Sequence, residues 1–336
     1  MNGIVCAGNW VLDQVKIIGT WPKKGELSNI LSETSGPGGS PFNLLVDYAH
    51  LGVNFPTWGM GCIGDDSLGK LILEICAKEN INIEHLNVLK NIATSYTDVM
   101  SLKDSGERTF FHCRGANAKF SPQHISLDKL KLLNPKIFHI GYLLLLDEMD
   151  KKNSAGEVVI AELLKNIQAM GIQTSVDVVT EASTRFKEVV KPCLNYIDHL
   201  IINEVEAGNI SDISIRQEDG SVDIEQAKKA ATLLLTEGVN ETVVIHFPEG
   251  AIWAQTDTQP IYQMSLNIPV EDIIGTVGAG DAFCAGTLWG IHNGWDPKKT
   301  LTMASGIAAA SLQAANTTDG IGSQDDVENL IKKYLP

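Results

Sequence analysis

A chain of 336 residues, 44% hydrophobic and 20% charged, can bury a large core, as one big domain or a domain with a small appendage. Its formal net charge of −15 argues against nucleic acid and anionic membrane surfaces, since both demand a positive patch. No apolar run approaches the roughly 20 residues that span a bilayer, and "MNGIVCAGNWVLD" lacks the basic start of a signal peptide. The six cysteines are scattered without a C-x-x-C pair, the pattern of buried free thiols in a reducing cytoplasm.

In chain order, "GIVCAGNWVLD" (3–13) reads as a buried strand ending at glycine, with Asp13 following it at the carboxyl end of a sheet. Further short apolar or β-branched runs are "IFHIGYLLLL" (137–146), "IQTSVDVV" (172–179), "HLIINEVE" (199–206), "TVVIHF" (242–247) and "IYQMSL" (261–266). Helical stretches lie between and around them: "SPFNLLVDYAHLG" (40–52), "DSLGKLILEICAKEN" (66–80), "AGEVVIAELLKNIQAMG" (155–171) and "DIEQAKKAATLLLTEG" (223–238). This alternation implies a mostly parallel sheet covered by helices on both faces. Residues 14–35 and 93–115 break the rhythm with half-polar, strand-like sequence, and are expected to pair into one small sheet beside the main layer. The chain closes with two helices. One starts after Gly-Ala-Gly and stops at Asn293-Gly294; the other opens with Asp296 as N-cap and Pro297 at its first position.

Chemistry concentrates in "GTVGAGDAFCAG" (275–286). Gly278, Ala279 and Gly280 are small enough for close backbone approach, and at a helix start their N–H groups can converge on an oxyanion. Asp281 beside that cradle can take a proton from an attacking hydroxyl, and the pair describes phosphoryl transfer. A plain glycine-rich turn with Asp281 as a helix cap accounts for the same residues, and this stretch alone leaves both readings open. A P-loop is absent, and "CAGNWVLD" lacks the later glycines of a dinucleotide fingerprint, which sets aside a dehydrogenase. The eight histidines show no metal-ligand spacing.

The stretch "GTVGAGDAF" resembles the C-terminal signature of the PfkB (ribokinase-like) carbohydrate kinases, usually D-T-x-G-A-G-D-x-F. Other segments are similar to the family's motifs in the family's order. They are "WPKKGE" (21–26), "GGSPFN" (38–43), "GCIGDDSLG" (61–69), "GERTFFHCRGAN" (106–117) and "NEVE" (203–206). The resemblance covers essentially the whole chain. It implies a ribokinase-like three-layer α/β/α fold over residues 1–336, with 14–35 and 93–115 forming a small β lid. One apolar face of that lid can cover substrate while its edge or other face meets a second copy, so a homodimer through the lid is expected.

It also implies ATP-dependent phosphorylation of a small sugar-like substrate, with Asp281 as general base and the amides of Gly278, Ala279 and Gly280 as anion hole. Asp13, Gly38, Gly39, Asn43 and Arg108 fall on the substrate side; Asn203, Thr276, Gly250 and Ser305 fall on the nucleotide side. Glu206 would organise Mg2+ and its waters, a sparse ligation that suits this ion. Three departures carry expectations of their own. Gly275 stands where the family usually has Asp, so any K+ site should be weak; Phe247 replaces a nucleotide-loop glycine, leaving Gly250; and 141–150 offers no acid where ribokinases bind ribose. A nucleoside kinase of the same fold, or a sugar- or nucleotide-binding sensor, shares most of these features. Intact Asn203, Glu206 and Asp281 argue against the sensor.

Overall fold

A computed structural model describes residues 2–104, 107–181 and 184–335. Strands numbered in chain order form two sheets among these residues. The larger runs β13 (Ile261–Met264), β12 (Gly250–Gln255), β11 (Thr242–Phe247), β10 (His199–Asn203), β9 (Gln173–Val178), β8 (Ile137–Leu143), β1 (Ile4–Gly8), β4 (Thr57–Gly64), β5 (His85–Leu89). From β11 to β5 every pairing is parallel, and β12 and β13 return antiparallel at one edge. Strand β1 is buried along its whole length, which is what a parallel sheet covered on both faces demands. One core, around Phe138, Ile140, Leu164 and Leu200, lies on one face; the other, around Trp10, Phe42, Leu288 and Ile307, lies on the opposite face. The result is three layers, with helices on both faces of a mostly parallel sheet.

The smaller sheet runs β3 (Ile30–Gly38), β2 (Val11–Ile18), β6 (Ser95–Leu102), β7 (Arg108–Cys113). It draws on the two stretches that broke the helical rhythm, but reaches further, from Val11 to Gly38 on the first of them. Gly106 of "GERT" lies outside the described residues.

One expectation is corrected here. Residues 3–13 are two strands, not one. Gly8 has φ +123°, and a Cβ there would stand 1.6 Å from the Gly141 carbonyl oxygen, so the chain turns out of the large sheet against β8. Asp13 therefore does not trail the first central strand. It sits on β2, in register with Gly36 on one side and Thr97 on the other.

Strands β4, β5 and β12 have no counterpart in the sequence reading. In β4, "TWGMGCIG", glycines replace the expected apolar alternation because Trp10 lies across them: Cβ atoms at Gly59 and Gly61 would stand 2.5 and 2.2 Å from its indole. The Trp10 Nε1–H then donates to the Met60 carbonyl at 3.0 Å. Helices Ser40–Leu51, Ser67–Lys78, Val159–Gln168 and Ile224–Thr236 match the periodic segments, though the third starts later than its sequence suggests. Among the described residues, no helix is long and apolar enough to cross a membrane.

Candidate active site

The helix Ala279–Asn293 begins at Gly278, whose φ of +81° is the left-handed conformation that glycine adopts without strain. Its first internal bond is Ala282 N–H to the Gly278 carbonyl at 2.8 Å, so the preceding N–H groups are left over at the helix mouth. The helix has no side-chain cap, and Asp281 does not supply one. Its carboxylate instead accepts from Asn43 Nδ2 at 2.7 Å and from the Tyr142 hydroxyl at 2.5 Å. The cap reading of Asp281 is thereby removed.

Two cavities meet at this helix mouth. One, of about 540 Å3, is lined by Asp13, Gly39, Asn43, Arg108 and Asp281 among others. The second, of about 470 Å3, has Ser305, Ala308, Leu312, Leu266 and Phe247 on its walls. Asn203, His246, Thr276 and Gly280 belong to both. Two chambers joined across a helix N-terminus suit two ligands that exchange an anionic group there.

Electrostatics in the first chamber is dominated by acids. Burial pushes the Asp281 carboxyl up to about 7; the charge of Asp177 adds to this, and the bonds from Tyr142 and Asn43 oppose it. Asp13, recessed in the wall, is also raised to about 7 by desolvation, with Thr97 donating against the shift and Asp281 reinforcing it. Gly38 packs on this group: a Cβ there would stand 2.5 Å from the Asp13 carboxyl carbon. Gly39 lies on the chamber wall, and the Arg108 guanidinium donates to the Thr276 hydroxyl across the junction. Desolvation holds the His246 imidazole down to about 4, so it is neutral there at physiological pH.

Asn203 and Glu206 form a capping box at the start of the helix Glu204–Ser211. The Asn203 Oδ1 accepts from the N–H groups of Val205 and Glu206, while Glu206 accepts from Asn203 N–H at 2.9 Å. Glu206 also accepts from Thr180 Oγ1 at 2.8 Å and Asn203 Nδ2 at 2.9 Å, and is buried on the chamber wall. Burial, aided by Asp177 and Glu204, raises its carboxyl to about 8 against the pull of those bonds.

Of the residues picked from sequence, Asp13, Gly39, Asn43, Arg108, Asn203, Glu206, Thr276, Gly278, Gly280 and Asp281 line the first chamber. Ser305 and Ala279 line the second, and Gly38 stands behind Asp13. Gly250 is the exception. It opens β12, where a Cβ would meet the Gln263 carbonyl at 2.3 Å; the glycine serves strand pairing and lines neither chamber. Two site residues escaped the sequence reading. Tyr142 hides at the end of an apolar run, and its only signal is being the one hydroxyl in "GYLLLL". Asp177 carries a clearer one, an acid inside the otherwise buried strand "QTSVDV".

The sequence pattern of the pfkB family carbohydrate kinases matches residues 1–323. The chain belongs to this family of phosphotransferases that act on a hydroxyl acceptor. A probable fructokinase-7 of Arabidopsis thaliana is 24% identical over 335 residues, covering 98% of this chain and 92% of that protein. The fold superimposes on Arabidopsis thaliana ribokinase complexed with ribose and ATP at a TM-score of 0.81, with 23% identity, 98% of this chain and 99% of that one. It also superimposes on a putative ribokinase II from E. coli in complex with ATP and Mg2+ at a TM-score of 0.76, with 19% identity, 99% of this chain and 100% of that one.

Proposed function

We propose that this chain is an ATP-dependent kinase of a small sugar-like substrate, with Asp281 as the general base. The observation that carries the reading is the position of the Asp281 carboxylate. It is buried on the wall of the first chamber, next to Gly280, which lines both, beside uncapped helix N–H groups, and is oriented by Asn43 and Tyr142. The acceptor occupies the chamber with Asp13, whose carboxylate accepts from sugar hydroxyls. The nucleotide occupies the chamber with Ser305. One acceptor hydroxyl oxygen attacks the γ-phosphorus, its proton passes to an Asp281 oxygen, and the bond to ADP breaks. The leftover N–H groups at Gly278, Ala279 and Gly280 stabilise the charge on the moving phosphoryl oxygens.

The donor set suits Mg2+. Among the described residues, the first chamber's wall carries Asp13, Asp177, Glu181, Glu206 and Asp281 against one arginine or lysine, Arg108, so a polyphosphate needs a cation to enter. Glu206 uses three acceptances inside the protein, and an ionised carboxylate offers about four, so it and Asn203 would hold the ion through waters. When bound, Mg2+ neutralises triphosphate charge. The cavity's apolar side, at Phe110, Leu145 and Val179, favours one second reading, an acceptor with an apolar ring such as a nucleoside. Cysteines free throughout, five of them buried, support a cytoplasmic setting.

ADP release measured over a panel of hexoses, pentoses, sugar acids and nucleosides tests the proposal. Turnover with at least one acceptor, absent without it, is expected. ATP hydrolysis indifferent to every acceptor would refute it.

A further inference from the structure

Beneath Asp281, the floor of the first chamber holds a group of side chains that phosphoryl transfer leaves unused. His139 from β8, Asp177 from β9 and Cys284 from the Ala279–Asn293 helix bring one ligand atom each within 4.8 Å of one another, all three buried. The His139 Nε2 stands 3.6 Å from Asp177 Oδ2. That separation is close to the edge of a tetrahedron of zinc ligands, about 3.3–3.7 Å for bonds of 2.0–2.3 Å.

Two further observations point the cluster at a cation. The far ring nitrogen, His139 Nδ1, is 3.1 Å from Ser175 Oγ, the outer hydrogen bond that orients a ligating imidazole. Asp177 Oδ1 is buried with no hydrogen-bond partner. Access is open, since Asp177 and Cys284 both lie on the chamber wall. Ser40 Oγ, 3.3 Å from His139 Nε2 and donating to Asp177, marks where a fourth ligand would stand.

We propose that His139, Asp177 and Cys284 form a binding site for a borderline divalent metal ion of the Zn2+ class, at the floor of the acceptor chamber. A nitrogen, a thiolate and a carboxylate with one open position are the ligands such an ion takes, and they disfavour Mg2+, which wants oxygen alone. Binding releases the thiol proton to solvent. Cys284 is one turn beyond Asp281 on the same helix, so the ion, net of the proton released, adds one positive charge under the base and slows turnover. That last consequence rests on the reading of Asp281 above; the binding itself does not.

The test is an optical titration of the full chain with Co2+, without nucleotide. A thiolate-to-Co2+ charge-transfer band saturating at one equivalent and displaced by Zn2+ is expected. The band should vanish in Cys284→Ala and in His139→Gln, and persist in Cys113→Ala, which removes the half-buried thiol outside the cluster. Cys284→Ser is the substitute should the alanine variant fail to melt cooperatively. No band in the wild type, or a band unchanged by loss of Cys284, overturns the proposal. In parallel, Zn2+ inhibition is measured at saturating MgATP, each variant relative to its own metal-free rate. A loss of sensitivity of at least about tenfold in Cys284→Ala is expected. Inhibition of both proteins alike, with the Co2+ band present, would refute only the coupling to Asp281.

Discussion

Replacing Asp281 with asparagine should cripple turnover and, at alkaline pH, stabilise the fold. Burial and Asp177 raise this carboxyl from 3.8 to about 7. At 1.36 kcal/mol per pH unit, ionising it inside the folded protein costs about 4 kcal/mol. The sign follows from which state holds the proton. Between pH ~4 and ~7 the folded chain keeps a proton that the unfolded chain has released, so stability falls as pH rises and stays reduced above 7. An amide feels none of this. Asp281→Asn also keeps its neighbours satisfied: the new carbonyl accepts from Tyr142, and Asn43, whose Oδ1 has no partner, can turn to accept the new amide N–H. Melting curves at pH 5 and pH 8.5 measure the effect. At pH 5, already about 1.2 pH units above 3.8, the variant should gain only about a third as much as at high pH. At pH 8.5 it should melt several degrees higher, at about 2 °C or less per kcal/mol for a chain of this size. Turnover should drop by roughly 10²–10⁴-fold at both pH values. A variant destabilised equally at both pH values would refute the buried-charge argument, and retained turnover would remove Asp281 as the base.

Gly38→Ala places a methyl 2.5 Å from the Asp13 carboxyl carbon, so KM for the acceptor should rise about tenfold or more while KM for ATP stays within about twofold; equal effects on both would detach Asp13 from the acceptor. Monovalent cations should matter little. A side chain at Gly275 would meet the Ala314 carbonyl at 2.6 Å, and Asp272, the nearby acid, accepts from Tyr334 at 2.7 Å instead. Activation saturating at low millimolar K+ against a tetramethylammonium background would contradict this. The small sheet exposes Leu31 and Phe111, its β2–β3 connection exposes Leu27 and Trp21, which stacks on Phe111, and a second copy of this chain should cover this surface. Light scattering at micromolar concentration should give a dimer, and a monomer would dispose of the idea.

Much of this architecture is legible in the sequence because its signals are local. Helices with clean 3.6-residue periodicity and caps such as Asp296 with Pro297 appear where the pattern puts them. Strands β4 and β12 were hidden because tertiary contacts chose their residues: glycines for the Trp10 indole in one, and Gly250 against the Gln263 carbonyl in the other. The same logic divides the site. Gly278 and Asp281 declare themselves through a backbone motif, whereas Asn203 and Glu206 stand out only through their resemblance to the family's N-x-x-E segment; the capping box they form is seen in the structure. Tyr142 reaches Asp281 across 139 residues of sequence, a pairing no local pattern encodes. The turn at Gly8 likewise depends on Gly141, and without it Asp13 could not be placed on the small sheet.

The central claim is that one acceptor hydroxyl and the γ-phosphate meet at Asp281, each from its own chamber. A crystal structure with a non-hydrolysable ATP analogue, Mg2+ and the best acceptor from the panel tests it most directly. The adenine should lie beside Ser305, the γ-phosphate at the N–H groups ahead of Ala282, and one acceptor oxygen within about 3 Å of the Asp281 carboxylate. A nucleotide seated against Asp13, or an acceptor with no hydroxyl in reach of Asp281, would contradict it.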